Sequence, residues 1–287
     1  GVGLVGSEMC IRDSTNYGAD LDIERASADA IYAQVASDLN DAYIKLPASN
    51  GEFADKYAAK ALLARVHLQL GNYAEALTAA NDVLANSGHS LASSFAGAFN
   101  NDSDSSEDIF AFQVTSQDGS NALVTHYAAM VFGGRGGDIV VDTYRSLFDS
   151  ALDVRRGFFY ISPDSGAICT YKYTNEYGNV PTLRIGEMHL IRAEANFRLG
   201  SSTGLAPLTE INALRARSGA PALTALSLDL IFNERQLELG FEGHILHDKK
   251  RFGKSILVLP SNSPKLVLPI PQSEMDSNSL MVQNSGY

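Results

Sequence analysis

The sequence predicts a mainly α-helical protein made of antiparallel helical pairs, with a long irregular insertion and an extended C-terminal tail. Three observations carry that expectation. From Ala26 to Leu84, apolar residues recur at spacings of three and four, the period of a helix face. The same design returns between Leu183 and Arg217. Between the two, residues 88–181 lose helical periodicity and fill with Ser, Asn, Asp, Gly and aromatics.

The first helix starts at about Ala26 behind Ser27 as N-cap, with Ile31, Val35, Leu39, Ala42, Tyr43 and Leu46 on one stripe. Pro47 and the Ala-Ser-Asn-Gly run that follows stop it. A second helix covers about Asp55–Leu70, with Tyr57, Ala58, Ala61, Leu62 and Leu68 turned inward. Gly71-Asn72 breaks it, and a third helix runs from Tyr73 to Leu84 with Ala76, Leu77, Ala80, Val83 and Leu84 inside. Asn72 and Glu75 hold the N-cap and N3 positions of a capping box. Alanines line the contact and let the two helices approach closely. The string Leu70-Gly71-Asn72-Tyr73-Ala74-Glu75-Ala76-Leu77 resembles a tetratricopeptide unit. Downstream, Leu183–Leu199 ends in Leu199-Gly200, and Pro207–Arg217 is the return helix, with Pro207 in its first turn. Two units are few for a solenoid, so further pairs are expected upstream.

Ten of the 25 Phe and Tyr residues fall between Tyr127 and Tyr177. A long irregular stretch of this kind is expected to carry function. A last helix is expected over about Ser227–Gly243, with Leu228, Ile231, Phe232, Leu239 and Phe241 as core candidates. The tail from Lys254 to Tyr287 carries Pro260, Pro264, Pro269 and Pro271 and should wrap over the helices.

The chain of 287 residues is 45% hydrophobic and 19% charged, an ordinary globular composition. Its 33 acidic and 22 basic residues give a formal charge of −11. That balance argues against nucleic acid and against direct contact with an anionic membrane surface, and leaves neutral polar ligands open. Two cysteines, Cys10 and Cys169, are too few for a disulfide framework or a zinc site. No apolar run reaches the roughly 18 residues of a membrane-spanning helix. Gly1–Ser14 lacks the pattern of a signal peptide, and Ser7-Glu8-Met9 is a poor lead-in to a lipidated Cys10. Ser7–Ser14 resembles translated sequencing-adapter DNA, so residues 1–14 are read as a foreign segment and 15–287 as one domain whose N-terminal part is missing.

Chemical candidates are few. Glu234, Glu238 and Glu242 form a carboxylate row on one helix face. As a glycosidase pair they would have to flank a substrate from two sides; neighbours on one ridge do not. They are expected to pair with Arg235, Arg215, Arg217 or Arg184. His244-x-x-His247-Asp248 is short of the three or four convergent ligands of a metal site. Gly133-Gly134-Arg135-Gly136-Gly137 matches no phosphate-binding fingerprint; it is either a flexible turn or a close approach of backbone and Arg135 to a ligand. No nucleophile elbow or Cys–His pair occurs, Cys169 reads as a small core residue, and nothing calls for a cofactor.

Three strings resemble the SusD-like (RagB/SusD) family of nutrient-binding lipoproteins. They are Glu234-Arg235-x-x-Glu238-Leu239-x-Phe241-Glu242-Gly243, continuing to Asp248, Arg251 and Gly253; Arg184-x-x-Glu187-Met188-x-Leu190-Ile191-x-Ala193-Glu194-Ala195, with Ile211-Asn212-x-x-Arg215-x-Arg217; and Leu268-Pro269-Ile270-Pro271-x-x-Glu274, with Asn278 and Gln283-Asn284-x-Gly286-Tyr287. Together with Asp153-x-Arg155-Arg156 and Tyr171-Lys172-Tyr173 they extend the similarity over Ala26–Tyr287. The sequence departs from the family at His244, where Arg is usual, at Lys249-Lys250, and in having no Trp.

The resemblance implies the C-terminal part of a surface lipoprotein of the Bacteroidota outer membrane, which is no enzyme. Such a protein captures oligosaccharides or other nutrients and hands them to a TonB-dependent SusC-like transporter. It would touch the membrane only through a lipid anchor outside the present sequence. Aromatic faces and planar polar groups suit sugars, so Tyr127, Phe132 and Tyr144 with Gln113, Asn121 and Arg135 are the candidate ligand contacts. Two alternatives stay open, a helical-repeat scaffold that grips proteins and a helical glycoside hydrolase.

Overall fold

The computed structural model describes residues 24–135 and 142–287. The expectations for Gly1–Ser14, Cys10 and Gly136-Gly137 lie outside the described residues. Two compact units divide the described residues, one within 32–261 and one that joins 24–31 to Asn262–Tyr287.

The framework of the larger unit is helical. Helix α1 is Ala28–Lys45, α2 Lys56–Leu70, and α3 Tyr73–Asn86. Asp55 caps α2 by accepting from the N–H groups of Tyr57 and Ala58 at 2.8 and 2.9 Å. Asn72 makes no such side-chain bond to α3, so the expected capping box does not form. The return pair is α6, Ile185–Leu199, and α7, Pro207–Arg217. Both first helices end in the same way. Gly71 and Gly200 adopt left-handed φ values of 76° and 64°, and the N–H groups that follow reach back to the last turn. The Leu-Gly echo in the sequence is this shared stop.

The apolar core forms where the two pairs meet. Ala58, Ala61, Ala64 and Leu68 of α2 and Ala76, Ala80 and Val83 of α3 pack with Ile185, Met188 and Ile191 of α6. A second cluster joins Leu190 and Ala193 to Ile211, Leu214 and Leu239. Helix α1 is different: none of its residues is buried, and Ile44 is 79% exposed. Within the unit its Tyr43 hydroxyl donates to Asp82 at 2.6 Å.

The insertion holds β1 (Asp108–Phe112), α4 (Ala122–Tyr127), α5 (Asp142–Arg145), β2 (Phe159–Ile161) and β3 (Ile168–Thr170), and leads into β4 (Val180–Arg184). β1 pairs antiparallel with β4, and β2 with β3. The expected helix from Leu183 therefore begins two residues later, because Leu183 and Arg184 belong to a strand. The last expected helix, about Ser227–Gly243, is α8, Leu228–Leu239, capped by Ser227; it stops four residues short, which takes Glu242 off the helix, and a further helix that the sequence reading did not place, α9, Ile245–Arg251, follows. Gly240 and Gly243 bracket the corner between them.

In the smaller unit the tail carries a 3-10 turn at Pro264–Leu266 and the short helix α10, Gln272–Ser277. Gln283 holds Ile270 through both N–H and C=O at 2.8 and 2.9 Å, and Asn284 donates to the Leu268 carbonyl at 2.7 Å. The Gln-Asn pair thus clasps the Pro-Ile-Pro segment.

Ile109 and Leu183 join the helical core, and a network of buried charge ties the insertion to the framework beside them. Glu238 is fully buried and accepts from Arg217, Arg184 and Arg155. Arg155 also reaches Asp153 at 2.8 Å and Glu234 at 2.7 Å. Arg184 reaches Glu107 at 2.6 Å and Glu242 at 2.8 Å. Arg217 pairs with Glu107, Arg215 with Glu234 at 3.0 Å, and Lys172 with Glu242 at 2.5 Å. Five carboxylates (Glu107, Asp153, Glu234, Glu238, Glu242) thus face five cations (Lys172, Arg155, Arg184, Arg215, Arg217). The glutamate row is paired as expected, except that Arg235 turns instead to Asp248 at 2.9 Å. Asp248 continues through Arg251 to Glu194, and Glu187 is held by Arg65 at 2.7 Å. Asn212 clasps Leu223 through both its N–H and its C=O.

Glu238→Ala leaves three guanidinium groups short of a partner, and breaking a buried pair costs about 3–5 kcal/mol. Urea unfolding should show a loss of that order; a loss below about 1 kcal/mol would contradict the pairing. Acid should act on the same groups. Burial alone would raise Glu242, but Arg184 and Lys172 outweigh it and hold it at about 2. Asp248, also opposed by burial, is held at about 2 by Arg235 and Arg251. The unfolded chain takes up these protons near the ordinary values of 4.5 and 3.8, before the folded chain does. Their stabilisation is therefore full above that range and is lost as pH falls towards about 2. Melting temperatures measured across that window should drop steeply; an unchanged melt at its acid end would contradict the assignment.

Candidate functional site

The C-terminal end of α8 meets the insertion, and its unsatisfied carbonyls explain how. A helix leaves its last four C=O groups without intrahelical donors. Here Tyr144 donates its hydroxyl to the carbonyls of Gln236 and Leu237, both at 2.8 Å. Lys172 donates to the Glu238 carbonyl at 2.9 Å, a cation at the negative end of the helix dipole. Just beyond the helix, the Tyr173 hydroxyl donates to the Phe241 carbonyl at 2.9 Å. Burial lowers Lys172 to about 8, against the pull of Glu242.

The corner itself is shaped by two constraints. A methyl group on Gly240 would lie 2.5 Å from the Tyr144 hydroxyl, so only glycine lets that ring dock. Phe241 adopts φ +68°, a left-handed conformation unusual for an aromatic residue. Its ring is fixed by Tyr144 at 4.9 Å and Tyr127 at 6.2 Å, centroid to centroid. Tyr127 leans in turn on Tyr173 at 5.2 Å.

The rings of Tyr127, Tyr144 and Phe241 wall a pocket of about 230 Å³. Leu239, Gly240, Gly243 and Ile245 add apolar surface, and Gln236, His244, Arg235 and Asp248 add polar groups. Asp248 is shared by Arg235 and Arg251, and Nη1 of Arg235 has no hydrogen-bond partner. His244 is held below the usual histidine range, because burial outweighs Glu187, whose carboxylate lies 3.7 Å from Nδ1. A larger, more open groove of about 430 Å³ runs beside α2 and α3, lined by Asn40, Lys60, His67, Glu75 and Thr78 among others. No Phe or Tyr is among the described residues that line it.

Of the six residues singled out in the sequence, two line the pocket, Tyr127 and Tyr144. Phe132 lies in a neighbouring aromatic group, edge-on to Tyr160 at 5.0 Å and to Tyr171 at 6.4 Å. Gln113 and Asn121 have partners of their own. Gln113 bonds to Asp104 at 2.8 Å and Asn179 at 2.7 Å. Asn121 caps α4 and donates to the carbonyls of Asn175 and Gly178. Arg135 is exposed, and its N–H joins the Thr125 carbonyl at 3.1 Å, so this part of the glycine run folds back on α4. Sequence reasoning placed Phe241 in the core and did not link it with Gly240 and His244 as a binding corner. The available signal was Gly-Phe-Glu-Gly directly after a helix.

No reacting pair lines the pocket. Glu234, Glu238 and Glu242 all lie in ion pairs, and among the described residues no cluster of three His, Cys, Asp or Glu is placed to hold a metal. Cys169 is fully buried.

Residues 167–263 match the model of the SusD family, a span that includes α6, α7, α8 and α9. Comparison with curated protein sequences finds no match. Among solved structures, a SusD superfamily protein from Bacteroides vulgatus superposes with a TM-score of 0.78 at 22% identity, covering 93% of this chain and 67% of the other. A SusD superfamily protein from Bacteroides thetaiotaomicron gives 0.74 at 23% identity, covering 93% and 69%. Surface glycan-binding protein A from Bacteroides uniformis gives 0.76 at 22% identity, covering 90% and 69%. The chain thus shares the helical-pair fold of these structures, and its residues 167–263 carry the pattern of the SusD family.

Proposed function

We propose that the protein binds glycans or related nutrients at the cell surface and delivers them to a SusC-like TonB-dependent transporter without chemical change. The observation that carries this reading is the convergence of Tyr127 and Tyr144 on Phe241 around a pocket without a reacting pair. Aromatic faces match the C–H-rich faces of sugar rings, and a planar amide such as Gln236 suits hydroxyls. A similar structure bears the name surface glycan-binding protein. The net charge of −11 disfavours nucleic acid and anionic lipid as ligands. In this reading the protein sits on the outer membrane through a lipid anchor, and needs no cofactor.

Calorimetry against a panel of neutral and acidic oligosaccharides, followed by chromatography of the sugars, tests the proposal. Saturable binding is expected, with every sugar recovered intact. Tyr127→Ala should weaken binding roughly tenfold, about 1.4 kcal/mol, in a variant shown by its melt to be folded at the assay temperature. Shortened oligosaccharides would make the protein a hydrolase. Binding of peptides in place of sugars would make it a scaffold.

A further inference from the structure

Two groups of ion pairs in the larger unit differ in their balance. The group around Glu238 sets five carboxylates against five cations. The second group includes two residues that line the α8 pocket, Arg235 and Asp248. Arg235 and Arg251 share Asp248, Arg251 and Arg198 share Glu194, and Arg65 holds Glu187. Four guanidinium groups thus meet three carboxylates, and His244 adds a further positive charge whenever it is protonated. Buried charge is costly unless it is met by charge of the other sign, so the surplus favours an anion.

One donor of that group is unmet at the pocket. Arg235 gives Nε and Nη2 to Asp248, at 2.9 and 3.1 Å, and its Nη1 has no partner. Arg235 is 1% exposed, so bulk water does not reach that donor. Arg251 Nε and Glu194 Oε2 are unmet as well, but neither residue is among the described ones that line the pocket. A guanidinium carries donors on more than one edge, and the fork turned to Asp248 leaves the edge with Nη1 for a second planar acceptor. A carboxylate fits that edge. Asp248 is the one carboxylate among the described lining residues, and two guanidinium groups already neutralise it. Glu187, 3.7 Å from the His244 ring, is held by Arg65. The rings of Tyr127, Tyr144 and Phe241 supply apolar surface for the sugar that bears the carboxylate.

We propose that the pocket recognises an acidic sugar, a uronate whose carboxylate pairs with Arg235 through Nη1. The inference rests on the glycan-binding reading and adds to it the charge class of the ligand. The acid is the determinant, so masking it without changing the ring should remove most of the affinity.

The test uses the whole protein and short oligosaccharides of galacturonate, glucuronate and mannuronate, each beside its methyl ester, which keeps the ring and removes the charge. On the proposal, at least one acid binds at least tenfold more tightly than its ester, and the gap narrows as salt is raised. Arg235→Lys keeps a cation but loses the fork, and should cut that preference at least fivefold. Should it fold poorly, Ile245→Glu places a negative charge at a lining position that is 44% exposed and outside the ion pairs; the same loss of preference is expected, and a melt checks both variants. Equal binding of acid and ester, binding of neutral sugars alone, or a preference unmoved in folded Ile245→Glu would each overturn acid recognition at this pocket while glycan binding itself stands. Failure of the unmodified protein to bind any sugar, acidic or neutral, would overturn both readings.

Discussion

The carboxylate of Glu238 is the point on which the larger unit depends. A charge taken out of water is expensive unless it is met by others in good geometry. Glu238 is met by three guanidinium groups, one from the insertion (Arg155), one from the end of β4 (Arg184) and one from α7 (Arg217). Apolar packing is not directional, and the alanine-rich contact between α2 and α3 would tolerate many arrangements of the insertion above it. A lattice of five carboxylates and five cations tolerates few, since a shift of one element strands a buried charge. The network therefore serves to orient the elements, whatever its net contribution to stability.

That orientation reaches the binding corner through α8. Glu234 and Glu238 fall on one face of α8 because they are four residues apart, Glu242 joins them from the turn beyond Leu239, and the three lock the helix end onto the insertion and the α6–α7 pair. The end of α8 is then fixed, and its free carbonyls are offered to Tyr144 and Lys172. Phe241 is held at a positive φ because the rings around it leave no other place for its side chain. The pocket is thus assembled from a rigid helix end and an irregular loop segment pinned to it, the combination that lets loop residues bind with defined geometry.

Much of the framework was legible in the sequence, because its signals are local. The α2–α3 turn, the Leu-Gly stops, Pro207 at the head of α7 and Ser227 as cap of α8 each announce themselves within a few residues. The pairing of Glu234 and Glu238 was legible for the same reason, whereas the break at Gly240 that takes Glu242 off the helix was not. The partners were less so. Glu107 and Lys172 lie far from α8 in the chain, and no periodicity marks them as its counterions. Arg235 differs in direction from its neighbours on the helix, so it reaches Asp248 and not the row. The site was half legible: aromatic density pointed to Tyr127 and Tyr144, while Gln113 and Asn121 proved to serve the insertion's own turns. Polar side chains in a segment short of regular structure are drawn first to its unpaired backbone groups. The apolar stripe of α1, clear in the sequence, buries no residue among those described.

Native-state hydrogen exchange tests the central claim, that buried charge binds insertion and framework into one cooperative body. Amides of β1, β4 and the Tyr171–Tyr173 turn should open with the same free energy as those of α8, and Glu242→Gln, which weakens the hold on Lys172 and Arg184, should lower all of them together. Insertion amides that exchange far faster than α8, and are unmoved by Glu242→Gln, would contradict the account.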